Sequence, residues 1–458
     1  MVVGLVVAAV LLRGRLGETN QPRAHGGDWP AYLNGNDRSG YARLETVLTP
    51  ETVAKLAPRW TVTGTATISD QVTVVGDRVY WGSWDGYEHA TNARTGKELW
   101  RTYLGDETKR DCVPPHLGVA STAEVRTIRI SGKPVSVLFV GGGNGSLYAL
   151  DAAGGSVLWS RSFGSPKNGT FIWSSPAVYR GSVYIGVGSI GDCPLVPGRL
   201  VKLNARTGAT EGSFRTMPGG CAGATLWTSP TIDETSGTVF VTTGNAEYCR
   251  EPTPHAEAML ALSADTMSLV GAWRTPAAER VPDGDYGATP TLFTALIGGA
   301  RRRLVGAANK NGFYYAFDRD DVAAGPVWRT ARISSLPDTI APSAWDGRRL
   351  YVAGHRTVIG GRRCEASVRA VNPSSGRFVW QDCLAGGAPN GALTAVPGVV
   401  FEGVGSWLYA MRSSDGSVLF RYHDTSFHWF YSPAAVAGGS VYIGNSDGKL
   451  FAFSPNGK

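Results

Sequence analysis

Short runs of alternating hydrophobic and polar residues recur along the chain, and each repeat is marked by the same residue types at similar spacing. In each run a small residue, usually Ala, is followed by a polar residue, a turn and then an aromatic residue ten to twelve positions after the small one. Such alternation is typical of β-strands with one buried face, and the turn between two runs predicts a hairpin. The complete pairs are Ala90/Trp100, Ala149/Trp159, Lys202/Phe214, Ala261/Trp273, Ala316/Trp328, Ala370/Trp380 and Ala410/Phe420.

The two ends of the chain carry the halves of an eighth pair. Ala452 lies six residues before the C-terminus and lacks a following aromatic residue, whereas Trp60 lacks a preceding small residue. Repeats of this length with short strands are typical of β-propellers. We therefore predict an all-β fold, an eight-bladed β-propeller of four-stranded antiparallel blades, which the N-terminal strand around Trp60 closes beside Ala452.

A second, earlier strand belongs to each repeat and supports the count of eight. Most of these segments run directly into a Gly, as expected where the chain turns or passes close to another backbone. They are Arg78–Trp81, Ser136–Phe139, Ser182–Ile185, Thr238–Val241, Arg303–Val305, Arg349–Val352, Val399–Phe401 and Ser440–Ile443.

The N-terminal residues predict export. Residues 2–12 are apolar and are followed by Arg13 and Arg15. Eleven residues are too few to span a bilayer, but they match the apolar core of a signal peptide, and a short membrane anchor is the alternative. We assign 1–27 to a signal peptide or anchor and 28–458 to one propeller, in an extracellular, periplasmic or cell-surface protein.

Composition changes this picture little. The 458 residues include 60 Gly and 26 Pro, which fit an all-β chain that a single propeller accommodates. The net charge of +7 is modest for this size. The basic run Arg301–Arg303 lies in a Gly-bounded turn without interleaved aromatic residues, so it predicts a solvated loop, and nucleic acid is not an expected partner.

Six cysteines in an exported chain predict disulfides. No Cys-x-x-Cys pair is present, which argues against a zinc ribbon, and no Cys-x-x-Cys-His motif is present for attaching a haem. Two hairpins are bracketed by cysteines, and these should pair across each hairpin. The predicted pairs are Cys364–Cys383 and Cys193–Cys221, which leaves Cys112 and Cys249 as an unassigned remainder.

Strand direction sorts the loops between two faces of the ring. In an up-and-down blade, the connections after the second and fourth strands lie on one face. Long, irregular loops collect there, over residues 105–118, 186–198, 218–226, 244–257, 275–287 and 308–312. Because binding residues usually lie on loops over a rigid scaffold, we expect the site where the central channel opens among these loops.

Four residues on this face suggest a chemistry; Trp227 begins the innermost strand of its blade, and the other three lie on the loops. Trp227 offers a flat stacking surface, Asn245 a neutral oxygen ligand, Asp285 a carboxylate and Lys310 a cation. Together they suit a planar anionic cofactor and a hard cation such as Ca²⁺, with Asp285 also able to act as a general base. Simpler roles stand beside these: Trp227 as core packing, Asn245 and Lys310 as turn formers, and Asp285 as a turn cap or a partner of a loop arginine.

The repeat also resembles a known family. Ala90–Trp100 matches the pattern Ala-x-Asp/Asn-x-x-Thr-Gly-x-x-x-Trp, and the segments Asp28–Pro30 and Lys55–Trp60 resemble an N-terminal signature. Both features are similar to those of the pyrroloquinoline quinone (PQQ) dehydrogenase superfamily of eight-bladed propellers, over residues 28–458. The resemblance implies that Trp227 stacks on PQQ, Asn245 ligates Ca²⁺, Asp285 is the catalytic base and Lys310 contacts the quinone oxygens.

Three positions depart from that family. Its vicinal cysteine pair would fall at Asp111 and Cys112, and its carboxylate-binding arginine at Leu117. Its Ca²⁺-binding glutamate would fall near Cys193, with Asp192 as a substitute metal ligand if the register slips by one.

Two functions remain open at this point. One is a PQQ- and Ca²⁺-dependent dehydrogenase, without haem, that oxidises a small-molecule or polymeric alcohol, a polyol or a sugar and passes electrons to a separate acceptor. The other is a propeller scaffold or binding module that has lost the cofactor and presents its loops to a protein or glycan. A family of outer-membrane assembly scaffold proteins uses the same propeller without any cofactor.

Overall fold

The computed structural model describes residues 27–247, 249, 252–335, 339–426 and 428–458. The expected signal peptide or anchor lies in the undescribed residues 1–26, apart from its last residue. Within the described residues the strands form eight main antiparallel sheets, one per repeat, which confirms the all-β eight-bladed propeller. Among these same residues no helix is long and apolar enough to cross a membrane.

The first four blades follow one another along the chain, each strand pairing with its neighbour. Blade 1 contains Thr73–Val75, Arg78–Gly82, Tyr87–Asn92 and Glu98–Tyr103. Blade 2 contains Glu124–Ile130, Lys133–Gly141, Ser146–Asp151 and Val157–Ser162. Blade 3 contains Ala177–Tyr179, Ser182–Ser189, Arg199–Asn204 and Thr210–Arg215, with Thr170–Phe171 added beside its second strand. Blade 4 contains Thr231–Asp233, Thr238–Thr242, Ala258–Ser263 and Leu269–Arg274.

Blades 5 to 7 repeat the same order, and blade 8 combines both ends of the chain. Blade 5 contains Thr291–Ile297, Ala300–Asn309, Phe313–Asp318 and Pro326–Arg329. Blade 6 contains Ala344–Trp345, Leu350–Ile359, Arg362–Val371 and Phe378–Leu384. Blade 7 contains Thr394–Val396, Val399–Val404, Trp407–Arg412 and Val418–His423. Blade 8 contains Ala435–Ala437, Ser440–Gly444, Leu450–Pro455 and the N-terminal strand Leu56–Val62.

The remaining regular elements are short. Two-stranded ribbons pair Glu107–Thr108 with His116–Leu117 and Ala222–Gly223 with Ala246–Glu247. The 3-10 turns are Tyr32–Asn34, Val53–Lys55, Pro166–Asn168, Ala277–Glu279 and Val322–Ala324.

The ring closes as the sequence predicted. Trp60 lies directly opposite Ala452 in the antiparallel pairing of the first and last strands. The Trp60 indole Nε1 donates to the carbonyl of Ala93 in blade 1 at 3.1 Å. Its ring also covers Gly96, whose φ of 72° favours glycine and where an added Cβ would lie 2.9 Å from the indole. Trp60 therefore completes one blade and binds the next.

Other blades are joined in the same way. The indoles of four outer-strand tryptophans donate to a backbone carbonyl in the following blade. The pairs are Trp100 to Ala152 (3.2 Å), Trp159 to Ala205 (3.0 Å), Trp328 to Pro373 (2.9 Å) and Trp380 to Ser413 (2.9 Å). These tryptophans are packing residues, because each contributes a buried ring face and a satisfied N–H group between two sheets.

Two of the predicted pairs are out of register. Phe214 faces Leu200 rather than Lys202, and Trp273 faces Met259 rather than Ala261. In these two pairs the residues are twelve positions apart, whereas in most of the others they are ten apart. The two extra residues lengthen the strands and not the turn, so the aromatic residue faces a position two residues earlier than predicted. In blade 5, also spaced by twelve, the 3-10 turn Val322–Ala324 takes up the difference and Ala316 does face Trp328.

A segment before the first blade, residues 28–47, crosses the ring along its innermost strands; we call it the strap. It is hydrogen-bonded to every blade in turn. The blade residues that it contacts, in order, are Val74, Val125, Val178, Ile232, Leu292, Trp345, Ala395 and Gly439. Its fully buried Arg38 donates to the carbonyls of Tyr32, Pro176 and Pro230 at 2.7–3.0 Å. The strap therefore joins all eight blades at the axis.

One disulfide prediction is confirmed and one is wrong. Cys364 and Cys383 are bonded across the blade 6 hairpin, as predicted. Cys193 is bonded to Cys112 and not to Cys221, which is bonded to Cys249. The reason is that the long loops pack side by side around the channel mouth, across blade boundaries. Thus the ribbon of Ala222–Gly223 with Ala246–Glu247 brings the loop of Cys221 beside that of Cys249.

Candidate functional site

A funnel of about 620 Å³ opens at the axis of the ring, on the face that carries the long loops. All six loops that the sequence placed on this face contribute to its lining. The side chain of Tyr32, from the strap, also lines the cavity and closes it below. The volume of this polar and aromatic cavity lies within the usual range of ligand pockets.

The lower wall of the funnel is a chain of hydrogen bonds that passes from blade to blade. In each step a backbone N–H donates to the side-chain hydroxyl of the next blade. The steps are Gln71 to Thr122 (2.8 Å), Thr122 to Ser175 (3.1 Å), Ser175 to Ser229 (2.9 Å) and Ser229 to Thr289 (3.0 Å). Blades 6 to 8 line the same level with Pro342, Ala392 and Pro433. The funnel is therefore held rigidly and is polar on one side.

Trp227, Asp285 and Lys310 form one contact group in the wall of the funnel. The indole Nε1 of Trp227 donates to Oδ2 of Asp285 at 3.2 Å. Nζ of Lys310 lies 2.7 Å from Oδ1 of the same carboxylate and 5.2 Å from the centre of the Trp227 ring. Asp285 is only 3% exposed. The structure thus brings together an aromatic face, a buried carboxylate and an ammonium group, as the sequence predicted.

Backbone contacts fix these side chains. The N–H of Lys310 donates to the carbonyl of Asp285 at 3.0 Å, which ties the two loops together. Gly287 lies against Trp227, and a Cβ added there would come within 2.6 Å of the indole Cη2. The glycine after Tyr286 is therefore required for Trp227 to occupy its position in the funnel.

Electrostatics make the two charged groups interdependent. Burial raises the pKa of Asp285 to about 6, against the opposing effect of the Lys310 ammonium. Burial also disfavours the charged form of Lys310, but Asp285 and Asp283 outweigh it, so that the pKa of Lys310 is raised. At neutral pH both groups are therefore ionised. The pKa of Asp285 is close enough to neutral pH for its carboxylate to accept a proton during a reaction.

Asp283 is a member of the group that sequence reasoning missed. Its Oδ1 accepts a hydrogen bond from Nδ2 of Asn245 at 2.8 Å and lies 3.0 Å from Nζ of Lys310. Its backbone adopts a left-handed φ of 53°, which directs the chain between the two acidic residues. The only sequence signal was the repeated acid in Asp283-Gly284-Asp285. Asn245 thus joins the group through Asp283.

Asp192 and Leu117 lie at or near the positions where the family has its Ca²⁺-binding glutamate and its carboxylate-binding arginine. Asp192 lines the funnel at an exposed position, and among the described residues no hydrogen bond or ion pair joins it to Asp285 or Asn245. Leu117 is fully buried in an apolar cluster with Cys112 and Phe171. The position that resembles the family's arginine is therefore filled by packing.

The fit of a metal ion differs from that of a planar cofactor. In the described part of the chain no three His, Cys, Asp or Glu side chains are grouped to hold a metal ion. Nζ of Lys310 already lies between the carboxylates of Asp283 and Asp285. Because Ca²⁺ takes six to eight oxygen ligands, these residues alone do not fit it. The Ca²⁺ roles of Asn245, Asp285 and Asp192 stay predictions.

Comparison with protein families identifies two matches. The model of the PQQ family, described as the glucose/ethanol/alcohol dehydrogenase β-propeller domain, matches residues 29–332. A second model, described as the outer membrane protein assembly factor BamB, matches residues 314–458.

Characterised relatives include two polyvinylalcohol dehydrogenases. That of a Pseudomonas species is 26% identical over 87% of this chain and 68% of its own length. That of Sphingopyxis sp. (strain 113P3) is 24% identical over 85% of this chain and 64% of its own length. The chain thus spans about two thirds of the length of these relatives.

Among solved structures, the quinohemoprotein alcohol dehydrogenase of Comamonas testosteroni has the same fold. It superposes with a TM-score of 0.73 at 18% identity, over 94% of this chain and 81% of the other. The eight blades, the tryptophan contacts between them and the match over residues 29–332 agree, and this chain belongs to the family of PQQ-dependent dehydrogenase β-propellers.

Proposed function

We propose that this chain is an exported PQQ-dependent dehydrogenase that oxidises an alcohol to a carbonyl compound and passes the electrons to a separate acceptor. The observation that carries the proposal is the contact group of Trp227, Asp285 and Lys310 inside a rigid funnel. The names of the relatives support an alcohol as substrate, and those of the polyvinylalcohol dehydrogenases extend the choice to polymeric alcohols.

The funnel suits a planar anionic cofactor on three grounds. The ring of Trp227 lines the funnel, and its N–H group is already satisfied by Asp285, so that stacking on the ring leaves no donor unpaired. Lys310 supplies a cation over the ring, 5.2 Å from its centre. The hydroxyls of Thr122, Ser175 and neighbouring residues surround the lower funnel with groups that can hydrogen-bond carboxylates. PQQ, when bound, supplies the two-electron acceptor for the hydride that leaves the alcohol carbon.

Asp285 is the residue that we propose takes the hydroxyl proton. Its carboxylate is oriented by Trp227 and Lys310, so that a substrate oxygen in the funnel can approach it without a large side-chain movement. Lys310 keeps it ionised at neutral pH despite its burial. The proton and the hydride together account for the two hydrogens lost when CH–OH becomes C=O.

The first experiment is calorimetric titration of the metal-free protein with PQQ, with and without Ca²⁺. We expect saturable PQQ binding and a rise in melting temperature. A dependence of PQQ affinity on Ca²⁺ would show that the ion takes part in cofactor binding. Absence of binding under both conditions would refute the proposal.

A second experiment separates binding from turnover. Asp285→Asn keeps an acceptor for Trp227 but cannot take a proton, so activity should fall by about 10²–10⁴-fold while PQQ affinity changes by less than about tenfold. Asp320→Asn, at an exposed turn of blade 5 outside the funnel, is the matched control and should leave both unchanged. An active Asp285→Asn variant would show that another group is the base.

The alternative is a propeller scaffold that does not bind the cofactor. Two observations favour it: Leu117 is buried where the family arginine would lie, and the assembly-factor model matches residues 314–458. It predicts no PQQ binding and a protein or glycan partner on the loop face. The titration above therefore decides between the two functions.

A further inference from the structure

The funnel has two chemically different walls. Blades 4 and 5 supply the charged group around Asp285 and Lys310. Blades 1 to 3 supply a second wall, which we call the apolar wall, and blade 1 lies opposite blade 5 in a ring of eight. The apolar wall comprises Trp84, Val113, Pro114, Trp173, Ile190 and Leu195, and the exposed carboxylate of Asp192, between Ile190 and Leu195 in the chain, also lines the funnel beside it.

The polar atoms of the apolar wall are already paired within the protein. Nε1 of Trp84 donates to the hydroxyl of Ser69 at 2.9 Å. Nε1 of Trp173 donates to the carbonyl of Ser189 at 3.0 Å. The two indole rings lie edge to face, with centroids 6.4 Å apart. These tryptophans can therefore offer a ligand their ring carbons but no free hydrogen-bond donor.

This wall is a fixed part of the structure, and it reaches the mouth. The disulfide between Cys112 and Cys193 joins the two loops that carry Val113 and Ile190. Ile190 and Cys112 belong to one buried apolar cluster beneath the wall. Val113, in contrast, is 90% exposed at the rim. The apolar wall therefore runs from a buried cluster to a solvent-exposed residue at the rim.

We infer that the substrate is an alcohol with a hydrocarbon body of several carbons, which lies on the apolar wall while its hydroxyl reaches Asp285. The inference rests on the proposed function and specifies its substrate class. A short alcohol would leave the wall in contact with water, so that its apolar area contributed nothing to binding. A sugar or polyol would lose hydrogen bonds to water that the paired indoles cannot replace.

The inference is tested first without the cofactor. Binding of ethanol, 1-butanol, 1-hexanol, 1-octanol and sorbitol to the full chain is measured by competition and by calorimetry at several temperatures. We expect affinity to rise about fourfold per added CH₂, the equivalent of about 0.8 kcal/mol, with a negative heat-capacity change. Sorbitol should bind more weakly than 1-hexanol. A flat series, or tighter binding of sorbitol, would overturn the inference.

The PQQ-loaded enzyme gives the second readout. The same series should lower KM with chain length and leave kcat nearly constant, because the hydrocarbon contacts form before and during the reaction alike. A constant KM across the series would contradict the role of the wall.

Variants locate the effect. Trp84→Ala removes the most apolar surface but is packed enough to disturb folding, so Val113→Ser and Leu195→Ser are made beside it. Each should reduce the dependence of affinity on chain length. Val358→Ser, at a 59% exposed position on a blade 6 hairpin, is the matched control and should not. Equal chain-length dependence in all variants would overturn the inference.

The outcomes separate this inference from the proposed function. A protein that binds PQQ and oxidises ethanol or sorbitol as well as 1-octanol refutes the substrate class and leaves the dehydrogenase intact. A protein that never oxidises an alcohol with PQQ refutes the dehydrogenase and the inference with it.

Discussion

Replacing Lys310 with Met should make the stability of the apo protein depend on pH in a defined way. At the 2.7 Å separation of Nζ and the Asp285 oxygen, their attraction is about 1.5 kcal/mol in a water-like medium and about 6 kcal/mol at an effective dielectric constant of about 20. Removing the ammonium leaves a carboxylate that is buried and already has a pKa raised to about 6. The variant carboxyl should therefore stay protonated to higher pH.

The sign of the effect follows from proton linkage. In the wild type the folded pKa of Asp285 is above the unfolded value of about 3.9, so its burial costs stability as pH rises toward 6 and costs no more beyond it. In Lys310→Met that loss continues above pH 6. The difference in free energy of unfolding between the wild type and Lys310→Met, called the gap below, should therefore widen above pH 6, by at most about 1.4 kcal/mol per pH unit.

Urea denaturation at pH 5, 7 and 9, in the presence of a chelator, measures the gap. For the double variant Lys310→Met/Asp285→Asn, the gap to the wild type should not widen in this way above pH 6, because the carboxyl of residue 285 is gone. Lys449→Met is the matched control: Lys449 also pairs with a buried aspartate, Asp424, at 3.4 Å, but that carboxylate keeps hydrogen bonds from two side chains, Ser426 and Asn445, whereas Asp285 keeps one, from Trp227. A gap for Lys310→Met that is equal at pH 5 and pH 9 would refute the proposed coupling.

Three further substitutions test the fold. Trp60→Ala should lower the free energy of unfolding in urea by about 3–5 kcal/mol, whereas Trp429→Ala, 40% exposed, should change it by less than about 1 kcal/mol; similar values would contradict the closing role of Trp60. Arg38→Met leaves three carbonyls without their donor and should lower the free energy of unfolding by more than about 3 kcal/mol. The melting temperature should fall accordingly, and an unchanged melting temperature would mean that the strap is not needed for stability. Burial raises the pKa of Glu402 well above its usual value, so the wild type loses stability as pH rises past about 4.5. Glu402→Gln should therefore be more stable than the wild type at pH 8 but not at pH 4, and an equal effect at both pH values would show that folding does not raise the pKa of Glu402.

The fold was predictable because its signal repeats. Each Ala/aromatic unit is local, and the pairing of Trp60 with Ala452 followed from counting the units that were incomplete. The exceptions are Phe214 and Trp273, whose pairing is shifted by two residues because their hairpins are longer. The spacing in the sequence does not show whether extra residues lie in the turn or in the strands.

The candidate site was only partly predictable. Trp227 precedes the first strand of blade 4, Asp285 precedes the first strand of blade 5, and Lys310 follows the second strand of blade 5, so all three could be assigned to the loop face. The bond between Cys112 and Cys193 could not, since it depends on how two irregular loops pack across a blade boundary. Asp283 was missed for a related reason: its contacts depend on a left-handed backbone conformation that no neighbouring residue requires.

The strap has a consequence for the order in which the protein can be completed. Translation proceeds from the N-terminus, so residues 28–47 are made before every blade that they contact. The strand Leu56–Val62 likewise cannot pair until Leu450–Pro455 has been made. Until then the nascent chain carries an unpaired strand edge, which is a template for aggregation. A nonsense mutation within blade 8 should therefore yield insoluble polypeptide rather than a functional seven-bladed protein.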